Sequence, residues 1–197
     1  MGFKMKNEKT EIRIAGFGGQ GIILAGYIIG KAAAIYDNKH STLIQSFGPE
    51  ARGSACSAQV LISPTPILYP YLIIPNISVI LSRDAYDKFG KELAAGGTML
   101  IEKDLVSLEK ARKDINLYAI PATRLAEEMG RKIIMNIITV GFFSAVTGIT
   151  SYEATKKAVE TSVPPGTEEL NLKAFETGYE YGKDSIKSQK KKTAVKK

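Results

Sequence analysis

The feature that most constrains this chain is a glycine-rich run, Gly16-Phe17-Gly18-Gly19-Gln20-Gly21, set between two apolar segments. Residues 11–15 before it read as a short β-strand, and residues 22–35 after it are almost wholly apolar, as in a helix buried on more than one face. A strand that turns through glycines straight into a buried helix opens a parallel α/β unit. Gly26 and Gly30, four apart on that helix, let it approach a sheet closely.

The rest of the chain continues the alternation. Strands are predicted at 41–46 and 55–63, the second alternating with Cys56, Ala58, Val60 and Ile62 on one side. Prolines at 64, 66, 70 and 75 confine residues 67–74 to edge or irregular structure, a surface excursion. Residues 77–81 form a buried strand, and 83–95 an amphipathic helix closed by Gly96 and Gly97. Strands follow at 98–102 and 116–120. Thr123 can cap a short helix that stops at Gly130, and 133–147 is a buried helix. Ser151 caps a helix over 152–160, with Glu153 and Lys157 as an i, i+4 pair, and 170–186 is the last helix. Strands alternating with helices predict a mainly parallel sheet covered on both faces, with a mixed segment where the 41–46 and 55–63 strands follow one another. The expected organisation is a flexible start (1–10), one α/β domain (11–186) and a disordered lysine-rich tail (187–197).

Charge first suggests a nucleic-acid binder, since the 197-residue chain carries a formal +7. Six lysines and no acid lie in 187–197, so the rest of the chain is left at +1, too nearly neutral to form a basic face. Cys56 is the sole cysteine, which excludes an internal disulfide and any iron–sulfur or zinc site built from this chain's own thiolates. Residues 133–152 lack charge over a bilayer's length, but Asn136, Thr139, Ser144, Thr147 and Thr150 interrupt them, so a buried core helix is expected rather than a membrane span. The lysine-rich start lacks the apolar run of a secretory signal, and the cytoplasm is the expected compartment.

The glycine run satisfies the G-x-G-x-x-G pattern, whose backbone amides at a helix N-terminus favour an anion or phosphate. Tight strand–helix packing without a ligand accounts for the same glycines. A dinucleotide site also needs an acid at the end of the second strand. That strand ends Gln45-Ser46-Phe47, with Asp37 before it and Glu50 beyond it, which counts against a stand-alone nicotinamide-dependent dehydrogenase. The loop Gly48-Pro49-Glu50-Ala51-Arg52-Gly53 leaves the same expected sheet edge, where Arg52 can clamp a carboxylate or phosphate with Glu50 orienting it. His40, the only histidine, is expected in solvent. Asn136 is expected as a buried hydrogen-bonding fixture or a ligand contact.

Gly16-Phe17-Gly18-Gly19-Gln20-Gly21, Ser46-Phe47-Gly48-Pro49-Glu50-Ala51-Arg52-Gly53-Ser54 and Asn171-Leu172-Lys173-Ala174-Phe175-Glu176-Thr177-Gly178-Tyr179 together closely resemble the gamma subunit of 2-oxoacid:ferredoxin oxidoreductases, over about residues 11–181. The stretch 136–141 resembles the same family, while Ser54 stands where a further glycine is common. The resemblance implies a fold like domain III of pyruvate:ferredoxin oxidoreductase, a three-layer α/β/α sandwich with a mixed, mainly parallel sheet. It implies a heterotetrameric enzyme that oxidatively decarboxylates a 2-oxoacid to an acyl-coenzyme A with reduction of ferredoxin. 2-Oxoglutarate is favoured over branched-chain acids and pyruvate. Thiamine diphosphate, Mg2+ and iron–sulfur clusters would then belong to alpha, beta and ferredoxin-like delta partners, and coenzyme A would be a co-substrate. This chain would hold no catalytic residue. Gly16, Gly18, Gly19, Gln20, Gly21, Phe47, Gly48, Pro49, Glu50, Arg52, Gly53 and Asn136 would form a ligand or partner interface.

Overall fold

A computed structural model of the chain describes residues 9–46, 55–108 and 112–195. Six strands, β1 (Thr10–Phe17), β2 (His40–Ser46), β3 (Ala55–Ser63), β4 (Ile77–Ile80), β5 (Thr98–Glu102) and β6 (Asn116–Ile120), form one sheet in the order β2-β3-β1-β4-β5-β6. β1, β4, β5 and β6 run parallel, while β3 is antiparallel to both β1 and β2. The mixed segment expected from two consecutive strands is thus the β2–β3 hairpin. From β1 the chain passes to β2 and β3 on one side and only later to β4 on the other. The point where strand order reverses therefore lies between β1 and β4, at the glycine run.

The helices are α1 (Ile22–Lys31), α2 (Arg83–Phe89), α3 (Ala122–Glu128), α4 (Met135–Thr147), α5 (Tyr152–Glu160) and α6 (Glu168–Val195). Strand alternation sorts side chains onto two faces. Ile12 and Ile14 of β1 join the larger core with α1, α4, α5 and Phe175 of α6. Ala15 faces the smaller core with Ala85 and Phe89 of α2 and Met99 and Ile101 of β5. Helices cover both faces, so the expected α/β sandwich is present, with unequal outer layers.

Several boundaries differ from those expected, each for a local reason. α1 gives way at Lys31 to a π-helical turn, Ala32–Tyr36, in which Asp37 N–H reaches back to the Ala32 carbonyl. α2 stops at Phe89 rather than residue 95, and Glu92 in the following turn pairs with Arg13 at 2.6 Å. Thr123 does not cap α3: its hydroxyl has no partner, and its N–H donates to the buried Glu102 carboxylate. A 3-10 turn, Lys132–Ile134, precedes α4. Ser151 caps α5 as expected, but Lys157 pairs with Glu160 rather than Glu153. α6 continues to Val195 through the segment expected as a disordered tail. Helical spacing pairs Lys183 with Glu180 and Lys187 with Asp184, and Gln189 donates to the Leu117 carbonyl of β6. Among the described residues no helix is long and apolar enough to cross a membrane.

Helices α4 and α6 cross with their backbones in close approach. A Cβ on Gly141 would collide with the Phe175 carbonyl, and one on Gly178 would collide with the Ile138 carbonyl. Only glycine lets the two backbones touch here. Tyr152, Phe175 and Tyr179 pack as a ring cluster beside the crossing. Because the opposing atoms are backbone and cannot swing aside, Gly178→Ala should destabilise the chain by about 3 kcal/mol, as overpacking a close-fitted core does. Chemical denaturation of the purified chain measures it, and a cost below about 1 kcal/mol would show that the crossing is not tight.

Candidate functional site

The glycine run leaves the carboxyl end of β1, and each of its residues has a separate task. Gly16 is paired with Cys56 of β3, and a Cβ there would strike the Gln20 side chain and the Ile22 side chain. Gln20 folds back into that space. Its carboxamide oxygen accepts from Phe17 N–H at 2.7 Å, and its nitrogen donates to the Leu81 carbonyl just past β4 at 3.1 Å. One side chain therefore ties the loop after β1 to the end of β4, across the reversal of strand order. Gly18 and Gly19 are exposed, and Gly19 has φ +97°. Gly21 caps α1 in the left-handed region, with φ 73° and ψ 26°, and no side chain caps the helix.

Asn136 sits beneath this cap. It is 3% exposed, its carboxamide nitrogen lies 3.4 Å from the Gly21 carbonyl, and its oxygen accepts from Ile137 N–H at 2.9 Å. A Cβ on Gly21 would collide with it. Asn136 is thus buried and hydrogen-bonded at the turn. The structure brings Gly16, Gln20, Gly21 and Asn136 together as one braced turn at the start of α1.

Phe47, Gly48, Pro49, Glu50, Arg52 and Gly53 lie outside the described residues. Their flanks are described: Ser46 pairs with Ser57, and Ala55 with Phe17, so the β2–β3 connection starts and ends at the edge from which the glycine run leaves. Among the described residues no acid stands at the end of β2, and Asp37 is engaged with Ser151 N–H at 2.8 Å and the Ser151 hydroxyl at 2.6 Å. The nicotinamide reading therefore lacks its ribose partner among the described residues. His40 is exposed and pairs with Ser63 at the far end of the β2–β3 hairpin from Cys56, so the two cannot act as a nucleophile pair.

Cys56 is buried, and burial pushes its thiol pKa up, away from the thiolate that would bind metal or attack. Among the described residues no group of three or more His, Cys, Asp or Glu side chains could hold a metal ion. The side chains here do not fit a thiolate-bound cluster or a metal-diphosphate site. Arg13, on the α2 face, stacks over the Phe89 ring at 4.5 Å and pairs with Glu92; burial lowers its pKa and the Glu92 carboxylate opposes this. A cavity of about 180 Å³ lies at the opposite, amino end of the parallel strands, between Thr10, Asn76, Thr98 and Thr147. No charged side chain lines it, and it is smaller than the ~300 Å³ at which small-molecule sites usually begin. The glycine-run edge is the better candidate.

Residues 11–181 match the family described as pyruvate ferredoxin/flavodoxin oxidoreductase. The chain belongs to that family. It is 51% identical, over 89% of its length and 95% of the relative's, to 2-oxoglutarate synthase subunit KorC of Methanocaldococcus jannaschii. The crystal structure of a keto/oxoacid ferredoxin oxidoreductase gamma subunit from Geobacter sulfurreducens is similar with a TM-score of 0.78 at 40% identity, covering 88% of this chain and 98% of that one. Ketoisovalerate oxidoreductase subunit VorA of Methanothermobacter thermautotrophicus is 27% identical over 92% of this chain, which spans only 38% of that longer polypeptide. The gamma-subunit resemblance and the α/β fold are thereby established.

The two hydrogen bonds of Gln20 and the Gly21–Asn136 contact were not legible as such, because the G-x-G-x-x-G pattern assigns roles to glycines and is silent on the residue between them. The signal was present only as an amide side chain within the run. Gly21→Ala should cost about 2 kcal/mol from its left-handed φ and the collision beneath it. Asn136→Ala removes the collision, so the double variant should be less destabilised than the sum of the two by about 1 kcal/mol. Urea unfolding of the four chains checks this, and strict additivity would show that the two residues do not touch.

Proposed function

We propose that this chain is the gamma-type subunit of a 2-oxoglutarate:ferredoxin oxidoreductase. The complex would convert 2-oxoglutarate and coenzyme A to succinyl-coenzyme A and carbon dioxide, passing the two electrons released to ferredoxin. The observation that carries the substrate choice is the 51% identity to a 2-oxoglutarate synthase subunit along nearly the whole of both chains. Thiamine diphosphate with Mg2+ on partner subunits would supply the decarboxylation chemistry, and iron–sulfur clusters there would carry the electrons. Alpha, beta and ferredoxin-like delta chains are the partners this reading requires.

The chain's own contribution would lie at the carboxyl end of β1, beside β4. Backbone amides at the start of α1 favour an anionic group, and the braced turn holds them in position before any ligand arrives. Arg52 in the adjoining loop adds a guanidinium suited to a phosphate of coenzyme A, a substrate carboxylate or an acid of a partner.

The test is a complex retrieved through a tag on this chain from its native host and assayed for ferredoxin reduction. Turnover with 2-oxoglutarate and coenzyme A should exceed that with branched-chain 2-oxoacids or pyruvate, and the isolated chain should turn over none. A chain that purifies alone, or a complex that prefers another acid, contradicts the proposal. Arg52→Ala in the complex should lower turnover or coenzyme A affinity at least tenfold, a loss of about 1.4 kcal/mol or more. Thermal unfolding of the free subunit should barely move, because an exposed ion pair contributes only ~0 to 1 kcal/mol. Wild-type kinetics in the variant complex would make Arg52 a surface residue.

A further inference from the structure

We propose that the excursion between β3 and β4, residues 67–74, is the surface by which this chain docks on a larger companion polypeptide of its complex. That polypeptide is the counterpart of what is covalently continuous with this domain in the longer VorA relative. The inference rests on the complex reading above and adds to it the surface and the kind of partner.

The excursion displays apolar side chains where a monomer would hide them. Leu68 is 96% exposed and Ile73 68%, and Tyr69, Tyr71 and Ile74 are each more than half exposed. No charged residue occurs anywhere between Arg52 and Arg83. Soluble monomers rarely carry a contiguous apolar patch of this kind unless it meets a partner, and the core of an interface is depleted in charge and enriched in tyrosine.

The backbone beneath the patch is fixed. Glu11, buried at the start of β1, directs one carboxylate oxygen at Ile73 N–H (2.6 Å) and Ile74 N–H (3.0 Å), while Lys9 pairs with the other oxygen at 2.6 Å. Glu11 and Asn76 add a reciprocal pair, with Glu11 N–H donating to the Asn76 side chain and Asn76 N–H donating to the Glu11 carbonyl, each at 2.8 Å. The Thr42 hydroxyl donates to the Pro70 carbonyl at 3.4 Å, and the rings of Tyr69 and Tyr71 lie 5.4 Å apart. Prolines at 64, 66, 70 and 75 restrict the chain further. Burying a carboxylate is costly unless it is fully engaged, and here its bonds hold a segment whose apolar side chains face water. The backbone at Pro70, Ile73 and Ile74 is thus held by the domain itself, which lowers the entropic cost of binding a partner.

The occupant follows from connectivity. In VorA this domain is part of a chain of which it makes up 38%, so covalent linkage keeps it beside its neighbour. A separate chain has no such tether and must be held by its surface alone, which for a stable pairing means roughly 800 Å² per partner. An uncharged, prepositioned apolar patch suits a permanent contact of that kind better than a transient one.

The experiment expresses tagged full-length chain in the native host, as wild type, as Leu68→Asp with Ile73→Asp, and as Ile35→Asp. Ile35 is 66% exposed and lies outside the excursion, in the π-helical turn after α1. The double variant should retrieve at least tenfold less of the companion chains per tagged chain, the Ile35 variant should retrieve wild-type amounts, and all three free chains should unfold at the same temperature. If the double variant itself loses stability, Leu68→Ser carries the comparison, since that side chain contacts almost nothing in the free chain. Assembly of the double variant as wild type, or equal loss with Ile35→Asp, overturns the docking surface and leaves the complex reading intact. A free wild-type dimer that the double variant dissociates, with companion binding unchanged, assigns the patch to a second copy and also overturns it. Failure of the wild type to retrieve any companion removes the complex reading, and this inference with it.

Discussion

The hydrogen bonding of β1 on both of its edges is the constraint on which the rest of the structure depends. It pairs antiparallel with β3 from Thr10 to Phe17 and parallel with β4 from Ile12 to Ala15, so the two halves of the sheet are registered through it alone. Each end of the strand then holds something that β1's neighbours cannot hold themselves. At the carboxyl end, the Gln20 carboxamide joins the glycine turn to the end of β4. At the amino end, the Glu11 carboxylate holds the excursion that leads into β4. A shift of β1 by one residue would exchange Ile12 and Ile14 for Arg13 and Ala15 across the sheet and displace both attachments at once.

A second constraint acts away from the sheet. The glycines of α4 and α6 bring two helix backbones into contact, which anchors the long C-terminal helix on α4 and carries it toward β6. That packing gives the stretches around Gly141 and Gly178, which carry family resemblance, a task in the fold. Their role is steric. The domain presents a frame on which the glycine turn and the excursion are displayed, and under the proposed function bond-breaking chemistry would fall to other chains.

Much of the fold was legible because its signals are periodic or local. β3, β5 and β6 fall where alternation and turn residues put them, and Ser151 caps α5 as its hydroxyl predicts. What escaped the sequence depends on contacts remote along the chain. Thr123 reads as a helix cap until Glu102, on the preceding strand but one, supplies the acceptor instead. The lysine-rich end reads as a solvated tail because its composition is polar, yet spaced acids at 180 and 184 and the reach of Gln189 to β6 extend the helix. In the candidate site the glycine run, Gln20 included, was legible as a structural unit, while the bonds of Gln20, and those of Glu11 at the other end of β1, were not, since a polar side chain beside or within a strand does not reveal which backbone group it will meet. Arg52 and its neighbours remain a reading from sequence alone.

The central claim is that this chain acts as an assembled, non-catalytic subunit whose two displayed surfaces hang from the ends of β1. Hydrogen–deuterium exchange of the free chain beside the complete complex tests it most directly. The account predicts slower exchange on assembly in peptides covering residues 17–21 and 64–74, with α5 unchanged. Identical exchange in those two segments, free and assembled, would contradict it.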